Sequence, residues 1–537
     1  MESDNLSKNI GIFLQSQTNN QQVIDLGMAL QNQIALGHTA IKHNEIIDDP
    51  LISEDGKSGY IVQDNGLAGF RRVFNQEQYI RDHFKQPSTN NINKKLVKAA
   101  IQSVLKILGL DLPESLDLQW QACLSCLHHN RYILTGGPGT GKTTTVIRMM
   151  LLFLLMDKSK KIALSAPTGK AANQMIHSIG QQLHHVQLPI ELQQVLEIKA
   201  QTIHRLLGYN NQTNSLKYNK NNPLPYDLII IDESSMLDVS LTHALLQALK
   251  PTTQLLLIGD KNQLPAVEAG NVFADLCQLL INNQNNEKPI DLLSYFLNEN
   301  NEKAEFGQYT ELTKNYRYTD GSLIAQLCSA TKNTETPIFH QLRKKKLLNW
   351  LNPKTKSEKK DLLSSWYQSI PNHESAILLS PVNNGSNSVS ELNDLARKIL
   401  YNNKYMHHNM PIMVTQNDYA LGLFNGDIGQ LCLIDNQWQV VFNIESEQKF
   451  IQLNALQGWQ QANAITIHKS QGSEYDHVLI AIPNDFELNI LTNALLYTAI
   501  SRAKQTISLW ASDEIIEKTI QTKENRLTFL NNSQVPI

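Results

Sequence analysis

Cysteine is scarce in this sequence. The 537 residues include five cysteines, an odd number scattered over positions 123, 126, 277, 328 and 432. This usage excludes a disulfide framework and is typical of a reducing compartment. Cys123 and Cys126 form a C-x-x-C, but they lie in an apolar helical stretch with no second pair to complete four ligands. We therefore expect neither a zinc ion nor an iron–sulfur cluster.

Long apolar runs and an excess of positive charge are also missing. No uninterrupted apolar stretch is long enough to span a bilayer, and Met1 to Asp4 lacks the basic and apolar segments of a secretory signal. We expect a cytoplasmic protein with no membrane association. The net charge of −3 excludes a basic coat over the whole surface, but it leaves room for a local groove that binds nucleic acid.

The length predicts several domains. A chain of 537 residues exceeds one ordinary core, so we expect two to four domains. Residues 1–105 show apolar positions at helical spacing and no chemical motif, which predicts a helical N-terminal domain used for docking. Two α/β domains should follow, over 106–305 and 306–537. The polar stretches Ser88–Asn93 and Asn282–Asn301 are interpreted as a linker and a surface insertion.

A phosphate-binding loop is the clearest chemical motif. Residues 136–143 read GGPGTGKT, which fits G-x-x-x-x-G-K-[ST], and they lie between an apolar strand and a helical stretch. Lys142 is expected to reach the β and γ phosphates of a nucleotide, and Thr143 to ligate Mg²⁺. The residues expected to contact the nucleotide are Gly136, Gly137, Pro138, Gly139, Thr140, Gly141, Lys142, Thr143 and Thr144.

Two further strands end in polar residues that suit nucleotide hydrolysis. Asp232 and Glu233 follow the apolar run Leu228–Ile231, so Asp232 can hold the water shell of Mg²⁺ while Glu233 orients and deprotonates the attacking water. Simple solvation of a strand end is the weaker alternative. Gln263, after a similar strand, is placed to sense a γ-phosphate. Gln119 has two equally good interpretations, a contact with the edge of an adenine and an ordinary surface amide.

The second half of the chain supplies two arginines and a change of pattern. Arg317 and Arg502 are each an ordinary solvated side chain when taken alone, but a second lobe that holds both would offer two guanidinium groups to a γ-phosphate. The polar tract near 205–225 predicts an exposed hairpin or loop. Short strands and polar turns between residues 411 and 456 predict a small β-barrel inserted in the second α/β domain.

The order of these motifs resembles that of a superfamily 1 helicase, and within superfamily 1B it resembles the RecD family, the alpha subunits of exodeoxyribonuclease V. The resemblance covers about residues 117–510. The segments that carry the narrower likeness are Thr202–Gly208, Val267–Asp275, Asn417–Tyr419 and Leu423–Asp427.

The resemblance implies two tandem RecA-like domains, with a small hairpin near 205–225 and an SH3-like barrel near 411–456. It implies an ATP- and Mg²⁺-dependent helicase that moves 5′ to 3′ on single-stranded DNA. It assigns Gln119 to adenine, and Gln471 and Gly472 to the nucleotide site. The segments that face the DNA strand in such helicases contain Thr168, Thr202, His204, Asn383, Thr466 and His468.

Partners also follow from the resemblance. It implies a heterotrimer with RecB-like and RecC-like subunits that acts at duplex ends, in double-strand break repair and in degradation of linear DNA. The nuclease centre is expected in a partner. Residues 1–105 are expected to dock onto the RecC-like subunit, and their removal should leave the ATPase intact. Two alternatives remain, a stand-alone RecD-like helicase and a regulatory subunit that clamps DNA without hydrolysing ATP.

Overall fold

The computed structural model describes residues 2–85, 93–111, 117–184, 186–193, 198–210, 212–283, 307–319, 321–418, 421–444 and 447–531. The predicted linker, apart from Asn93, and the asparagine-rich stretch 284–306 lie outside these ranges, as does Tyr419. Among the described residues, no helix is long and apolar enough to cross a membrane.

The first lobe is built on a parallel sheet of six strands. Its four central strands are mostly apolar because helices cover both faces, and Leu228–Ile231 is buried at every position. In spatial order the strands are Tyr309–Leu312, Arg131–Gly136, Gln254–Gly259, Leu228–Ile231, Ile162–Ala166 and Ala200–Thr202. The helices of this lobe are Lys94–Leu108, Leu118–His128, Lys142–Met156, Gly169–Leu183, Ile203–Leu206, Val239–Gln247 and Val272–Asn283.

The second lobe repeats this architecture with a parallel sheet of five strands. In spatial order they are Asn349–Leu351, Ala503–Trp510, Tyr475–Ala481, Ala376–Ser380 and Ala464–Thr466. Its helices are Leu323–Lys332, Thr336–Lys344, Lys356–Ser369, Val389–Leu400, Asn493–Ile500 and Asp513–Gln521. The predicted α/β class with parallel sheets is therefore confirmed. The carboxyl ends of such strands are where α/β proteins bind their ligands.

Both expected edges of the first lobe need correction. The strand Tyr309–Leu312 pairs in parallel with Arg131–Gly136, so the first sheet extends past the expected boundary at residue 306. The helix Lys94–Leu108 packs through Val97, Ile101 and Val104 into the same core as the helix after the phosphate loop. It therefore belongs to the first lobe rather than to a separate N-terminal domain.

The N-terminal region, residues 2–85, is mixed rather than helical. It contains the helices Glu2–Gln15, Gln21–Ile34 and Arg71–Lys85 together with four short strands, Ile41–Lys42, Ile52–Ser53, Ile61–Asp64 and Leu67–Phe70. The prediction of an all-helical region was wrong because strands of two to four residues are too short to show a period of two. The helix Arg71–Lys85 also contributes Ile80 and Phe84 to the core of the first lobe.

An antiparallel sheet is inserted in the second lobe. Its five strands, in spatial order, are Glu447–Gln452, Gln437–Ile444, Ile428–Ile434, Pro411–Val414 and Trp459–Gln461. The loop between the strands Pro411–Val414 and Ile428–Ile434 contacts the first lobe, where Lys170 Nζ donates to the Gly426 carbonyl at 3.3 Å. The first lobe carries its own antiparallel pair, Tyr209–Asn210 with Ser215–Leu216, inside the tract near 205–225.

A C-terminal strap, residues 522–531, returns from the second lobe to the first. Arg526 Nη1 donates to the carbonyls of Ala266, Glu268 and Gly270 at 2.8 to 2.9 Å. Phe529 is buried against Phe74 of the N-terminal region, with ring centroids 4.9 Å apart. The strap thus ties the second lobe, the first lobe and the N-terminal region together.

Candidate active site

A cavity of about 370 Å³ opens between the two lobes. It receives the phosphate loop, the acidic strand end and Gln263 from the first lobe, and Arg502 from the second. The lining residues are Pro138, Gly139, Thr140, Gly141, Lys142, Thr143, Thr144, Val146, Ala171, Gln174, Met175, Ser178, Gln182, Asp232, Glu233, Ile258, Gln263, Tyr316, Arg317, Gly472, Glu474 and Arg502. All six predicted catalytic residues are in this set.

The phosphate loop is held in its curled form by glycine and lysine. Gly141 has a φ of 84° directly before the helix that begins at Lys142, and a Cβ there would lie 2.2 Å from Gln119 Nε2. Only glycine satisfies both conditions. Lys142 Nζ donates to the carbonyls of Gly136 at 2.7 Å and Gly137 at 3.0 Å. The ammonium therefore lies inside the curl, where it can turn toward a phosphate.

The acidic pair is buried at the end of its strand. Glu233 has a φ of 51°, and its backbone N–H donates to Asp232 Oδ1 at 2.9 Å. This left-handed backbone is costly for a residue other than glycine, and such strain is concentrated at functional sites. Burial raises the pKa of both groups. For Glu233, the Asp232 carboxylate raises the pKa further while Arg502 and Lys142 lower it, leaving it at about 6.

The two arginines are held differently. Arg317 lies in the segment that joins the lobes and forms an ion pair of 2.6 Å with Glu474. Arg502 is buried, and its three nitrogens donate to the Thr498 carbonyl, the Ser473 carbonyl and Ser501 Oγ. Each guanidinium is thus oriented before any ligand binds, which is what anion recognition requires of a positioned cation.

Gln263 has an unfilled bonding position. Its Nε2 donates to Asp260 Oδ2 at 3.4 Å, while Oε1 is buried and has no hydrogen-bond partner within the described residues. A buried carbonyl without a donor is costly in a finished core. A polar molecule in the cavity, such as the phosphate end of a nucleotide with its water, would satisfy it. This orphaned atom, the cationic loop and the acids fit a nucleotide with a divalent metal.

Some of the predicted nucleotide contacts do not line the cavity. Gly136 and Gly137 use their carbonyls for Lys142, as described above. Gln119 Nε2 donates to the Thr140 carbonyl at 3.4 Å, so this amide lies against the phosphate loop. Gln471 Nε2 donates to the Leu264 carbonyl at 3.0 Å and forms part of the contact between the lobes. Gly472, its neighbour, does line the cavity.

Four functional residues escaped sequence reasoning. Tyr316 lines the cavity, is 55% exposed and bonds through its N–H to the Gly139 carbonyl at 2.7 Å. The Lys314 ammonium lies 5.1 Å from the centroid of its ring, and an exposed aromatic ring at this place is of the kind that stacks on a planar ligand such as a base. Its position between Asn315 and Arg317 was the available signal. Glu474 is the partner of Arg317, and Asp260 pairs with Tyr497 at 2.8 Å. These three residues lie in segments that the helicase resemblance covers, but the resemblance assigned them no role and did not indicate which residues pair.

The predicted DNA-facing residues lie at the carboxyl ends of strands, outside the cavity. Thr168 and Thr202 begin helices after neighbouring strands of the first sheet, and their hydroxyls accept from backbone N–H groups. In the second lobe, Thr466 is buried and accepts from the Lys469 N–H. His204 and Asn383 are exposed, whereas His468 is partly buried and its pKa is lowered by burial and by Arg526.

Comparison with known proteins identifies the family. Residues 119–269 match the model of the AAA domain, and residues 461–509 match the UvrD-like helicase C-terminal domain. The RecBCD enzyme subunit RecD of Buchnera aphidicola subsp. Schizaphis graminum is 32% identical over 452 residues, covering 75% of this chain and 74% of that protein. This chain belongs to the RecD family. It is an ATP-dependent DNA helicase of superfamily 1.

Other relatives extend this picture. The RecBCD enzyme subunit RecD of Haemophilus influenzae is 31% identical over 530 residues, covering 86% of this RecD-family chain and 79% of that protein. The ATP-dependent RecD2 DNA helicase of Deinococcus radiodurans is 27% identical, over 70% of this chain and 46% of that one. A solved structure of Bacteroides Pif1 bound to ssDNA is 20% identical, with a TM-score of 0.41, over 75% of this chain and 94% of that one.

Proposed function

We propose that this chain is the 5′-to-3′ motor subunit of a RecBCD-type complex, in which hydrolysis of ATP between two RecA-like lobes drives movement along single-stranded DNA. The observation that carries the proposal is the shared cavity. The phosphate loop, the acids and Gln263 enter it from one lobe and Arg502 from the other, so one bound nucleotide contacts both lobes. The inserted antiparallel sheet is the counterpart of the family's SH3-like barrel.

The residues divide the chemistry as follows. Lys142 leaves its loop carbonyls to bind the β and γ phosphates, and Tyr316 stacks on the adenine. Glu233 accepts a proton from the water that attacks the γ-phosphorus, and its raised pKa brings it closer to neutral operating pH than an ordinary carboxylate. Arg317 and Arg502 stabilise the charge that develops on the transferred phosphoryl group. Gln119 contacts the edge of the adenine base.

Thr143 and Asp232 would hold Mg²⁺. The metal would supply neutralisation of the phosphate charge. Both side chains line the cavity, and a hydroxyl and a carboxylate are oxygen ligands of the type that Mg²⁺ prefers. Burial raises the pKa of Asp232, while the Glu233 N–H and Lys142 act in the opposite direction, and a bound cation would favour the ionised carboxylate further.

The DNA strand would cross both lobes at the carboxyl ends of their strands. Thr168, Thr202 and His204 lie there on the first lobe, and Asn383, Thr466 and His468 lie in the corresponding segments of the second. Because Arg502 and Gln263 line the cavity from different lobes, nucleotide binding would draw the lobes together and product release would free them. Alternating grip on the DNA backbone then gives net movement.

The exposed apolar side chains of the N-terminal region support a docking role toward a RecC-like subunit. Ile12 is 65% exposed and Ile46 is 86% exposed. This region nevertheless shares buried residues with the first lobe, and the strap seals the junction. We therefore replace the expected separable domain with a docking surface on the motor itself.

The direction of movement is tested with streptavidin bound to biotinylated single-stranded DNA. The purified chain should displace streptavidin from a 3′-terminal biotin much faster than from a 5′-terminal biotin, in an ATP-dependent manner. The Lys142→Ala variant serves as the inactive control. Displacement mainly from the 5′ end would contradict the proposed polarity, and absence of DNA-stimulated hydrolysis would favour a regulatory clamp.

The assembly is tested by tagging the chain in its own host and identifying what purifies with it. Recovery of two larger chains in equal amounts is expected, while recovery of the chain alone would favour a stand-alone helicase. The purified chain should not cut linear DNA with ATP and Mg²⁺. Cleavage that persists at constant specific activity through purification would overturn the assignment of the nuclease to a partner. The Glu233→Gln variant identifies contaminating activity.

A further inference from the structure

A hydrogen bond joins the two lobes directly behind the nucleotide cavity. Tyr497, in the helix Asn493–Ile500 of the second lobe, donates its hydroxyl to Asp260 Oδ2 of the first lobe at 2.8 Å. Both residues are buried, with 1% of Asp260 and 5% of Tyr497 exposed. A bond to a buried carboxylate is stronger than one between neutral groups and is costly to leave unmade. The contact therefore fixes where the Asp260 carboxylate points.

Asp260 in turn holds the side chain of Gln263. Its Oδ2 accepts from Gln263 Nε2 at 3.4 Å, and its Oδ1 accepts from the Asn262 N–H at 3.0 Å. An amide beside a carboxylate must present its NH₂ group, because its carbonyl oxygen would be repelled there. The Asp260 carboxylate thus decides which end of the amide remains free, and that end is Oε1, the buried atom without a partner.

The segment after Gln263 is also bound to the second lobe. The Leu264 N–H donates to Thr498 Oγ1 at 2.9 Å, and Gln471 Nε2 donates to the Leu264 carbonyl at 3.0 Å. Gln263 is therefore flanked by contacts between the lobes at residue 260 and at residue 264. The position of Gln263 therefore depends on whether the second lobe is in contact with the first.

We propose that Tyr497 and Asp260 are positioning residues, which orient the Gln263 amide so that its carbonyl oxygen accepts a hydrogen bond from the attacking water. The NH₂ group is engaged by Asp260, so Gln263 acts on the water as an acceptor beside Glu233. Because Tyr497 belongs to the second lobe, the water is oriented only while the lobes are in contact. Hydrolysis is thereby coupled to lobe closure through a neutral side chain. This inference rests on the proposed ATPase.

The test is a double-mutant cycle on DNA-stimulated ATP hydrolysis, with the full chain. Tyr497→Phe removes only the hydroxyl, and kcat should fall by roughly tenfold to a hundredfold, since small misplacements of a positioning group have effects of this size. The KM for ATP should change less than about twofold, since binding is left intact. Gln263→Ala should show a loss at least as large.

The double variant tests whether Tyr497 acts through Gln263. If Tyr497 acts through Gln263, then Tyr497→Phe combined with Gln263→Ala should have the kcat of Gln263→Ala alone. Independent losses that multiply would overturn the proposal, as would a Tyr497→Phe kcat within twofold of the parent. Tyr132→Phe is the matched control, because it removes a buried hydroxyl that donates to Thr310 Oγ1 at 2.6 Å outside the cavity. Its kcat should equal that of the parent.

The same assay separates this inference from the proposed function. A parent chain that does not hydrolyse ATP in the presence of DNA would overturn both. An active parent with multiplying losses in the cycle would overturn the positioning role alone. Thermal unfolding of Tyr497→Phe and Tyr132→Phe should show similar losses of stability. If a loss of stability were the cause of the lower kcat, both variants would lose activity together. That result would also count against the proposal.

Discussion

Arg317 and Glu474 form an ion pair of 2.6 Å at the edge of the nucleotide cavity, although 157 residues separate them, from 317 to 474. The pair holds a guanidinium that the proposed reaction needs for the γ-phosphate. The positive charge on Arg317 is favoured by the Glu474 carboxylate, which raises the pKa of the guanidinium against the effect of burial. Glu474 thus keeps this cation oriented within the cavity before a nucleotide arrives.

Replacing Lys142 with Ala should abolish DNA-stimulated ATP hydrolysis, with a loss of at least roughly 10²-fold, because the loop loses the cation that meets the phosphates. Steady-state ATPase rates measure this. Lys345→Ala, on the exposed surface, is the matched control and should match the parent. Unfolding without nucleotide should change little, and a Lys142→Ala rate within a few-fold of the parent would remove the phosphate loop from the mechanism.

Arg317→Ala and Arg502→Lys should each lower kcat by on the order of 10³ while ATP binding weakens much less, because both cations act on charge that develops during transfer. Lysine is chosen at 502 because a buried alanine would remove the donor to the Ser473 carbonyl, whereas the Thr498 carbonyl still accepts from Ser501 Oγ. Nucleotide affinity and single-turnover rates give the comparison. Equal losses in affinity and turnover would mark the arginines as ordinary binding contacts.

The buried Glu77 should make stability depend on pH. It accepts hydrogen bonds from Thr39 and from the Phe529 N–H, and burial raises its pKa from 4.5 to about 8. The folded state therefore retains this proton after the unfolded chain has lost it. The free energy of unfolding should fall as pH rises from about 4.5 to 8, by up to a few kcal/mol.

The measurement is urea unfolding at pH 5.5 and at pH 8.5. The Glu77→Gln variant should lose part of this pH dependence, and the exposed Glu45→Gln variant should keep all of it. Asp275, whose pKa is raised to about 7 by burial, and Glu233, whose pKa is raised to about 6, contribute in the same direction to the part that remains. A parent that is more stable at pH 8.5 would contradict the assignment.

Phe529→Ala should destabilise the protein by about 3 to 5 kcal/mol, because the ring is buried against Phe74 and its removal leaves a cavity. Thermal unfolding in the absence of DNA checks this. Phe486→Ala, a 50% exposed position, is the control and should cost much less. Equal small losses would show that the strap does not hold the N-terminal region to the motor.

Truncation tests the same junction from the other end. Deleting residues 1–93 exposes Phe529 and the apolar partners of Ile80 and Phe84, so we expect an aggregating or weakly folded chain. This expectation replaces the one drawn from the sequence, in which the ATPase survives the removal of residues 1–105. Sedimentation and ATPase activity of the truncated chain measure it, and a soluble chain with full activity would restore the separable dock.

The sequence by itself determined the phosphate loop and the acidic strand end. Lys142, Asp232 and Glu233 act within a strand, a turn and a helix start that are contiguous in the chain, so their chemistry depends on neighbours a few residues away. The α/β class could be predicted from the sequence for the same reason, because a strand followed by a helix is a local pattern in the chain. The short strands of the N-terminal region escaped because two to four residues do not show a period of two, and their buried positions are set by packing on the helix Gln21–Ile34 and on the strap.

Only the tertiary structure decided which residues meet across the cleft. Tyr497 and Asp260 are 237 residues apart, and Arg526 is bonded to the Gly270 carbonyl from 256 residues away. Gln119 and Gln471 matched their motifs, yet the fold turns one amide against the phosphate loop and the other against the opposite lobe. A side chain's direction depends on the packing of distant segments, whereas a motif records only residue types and their spacing.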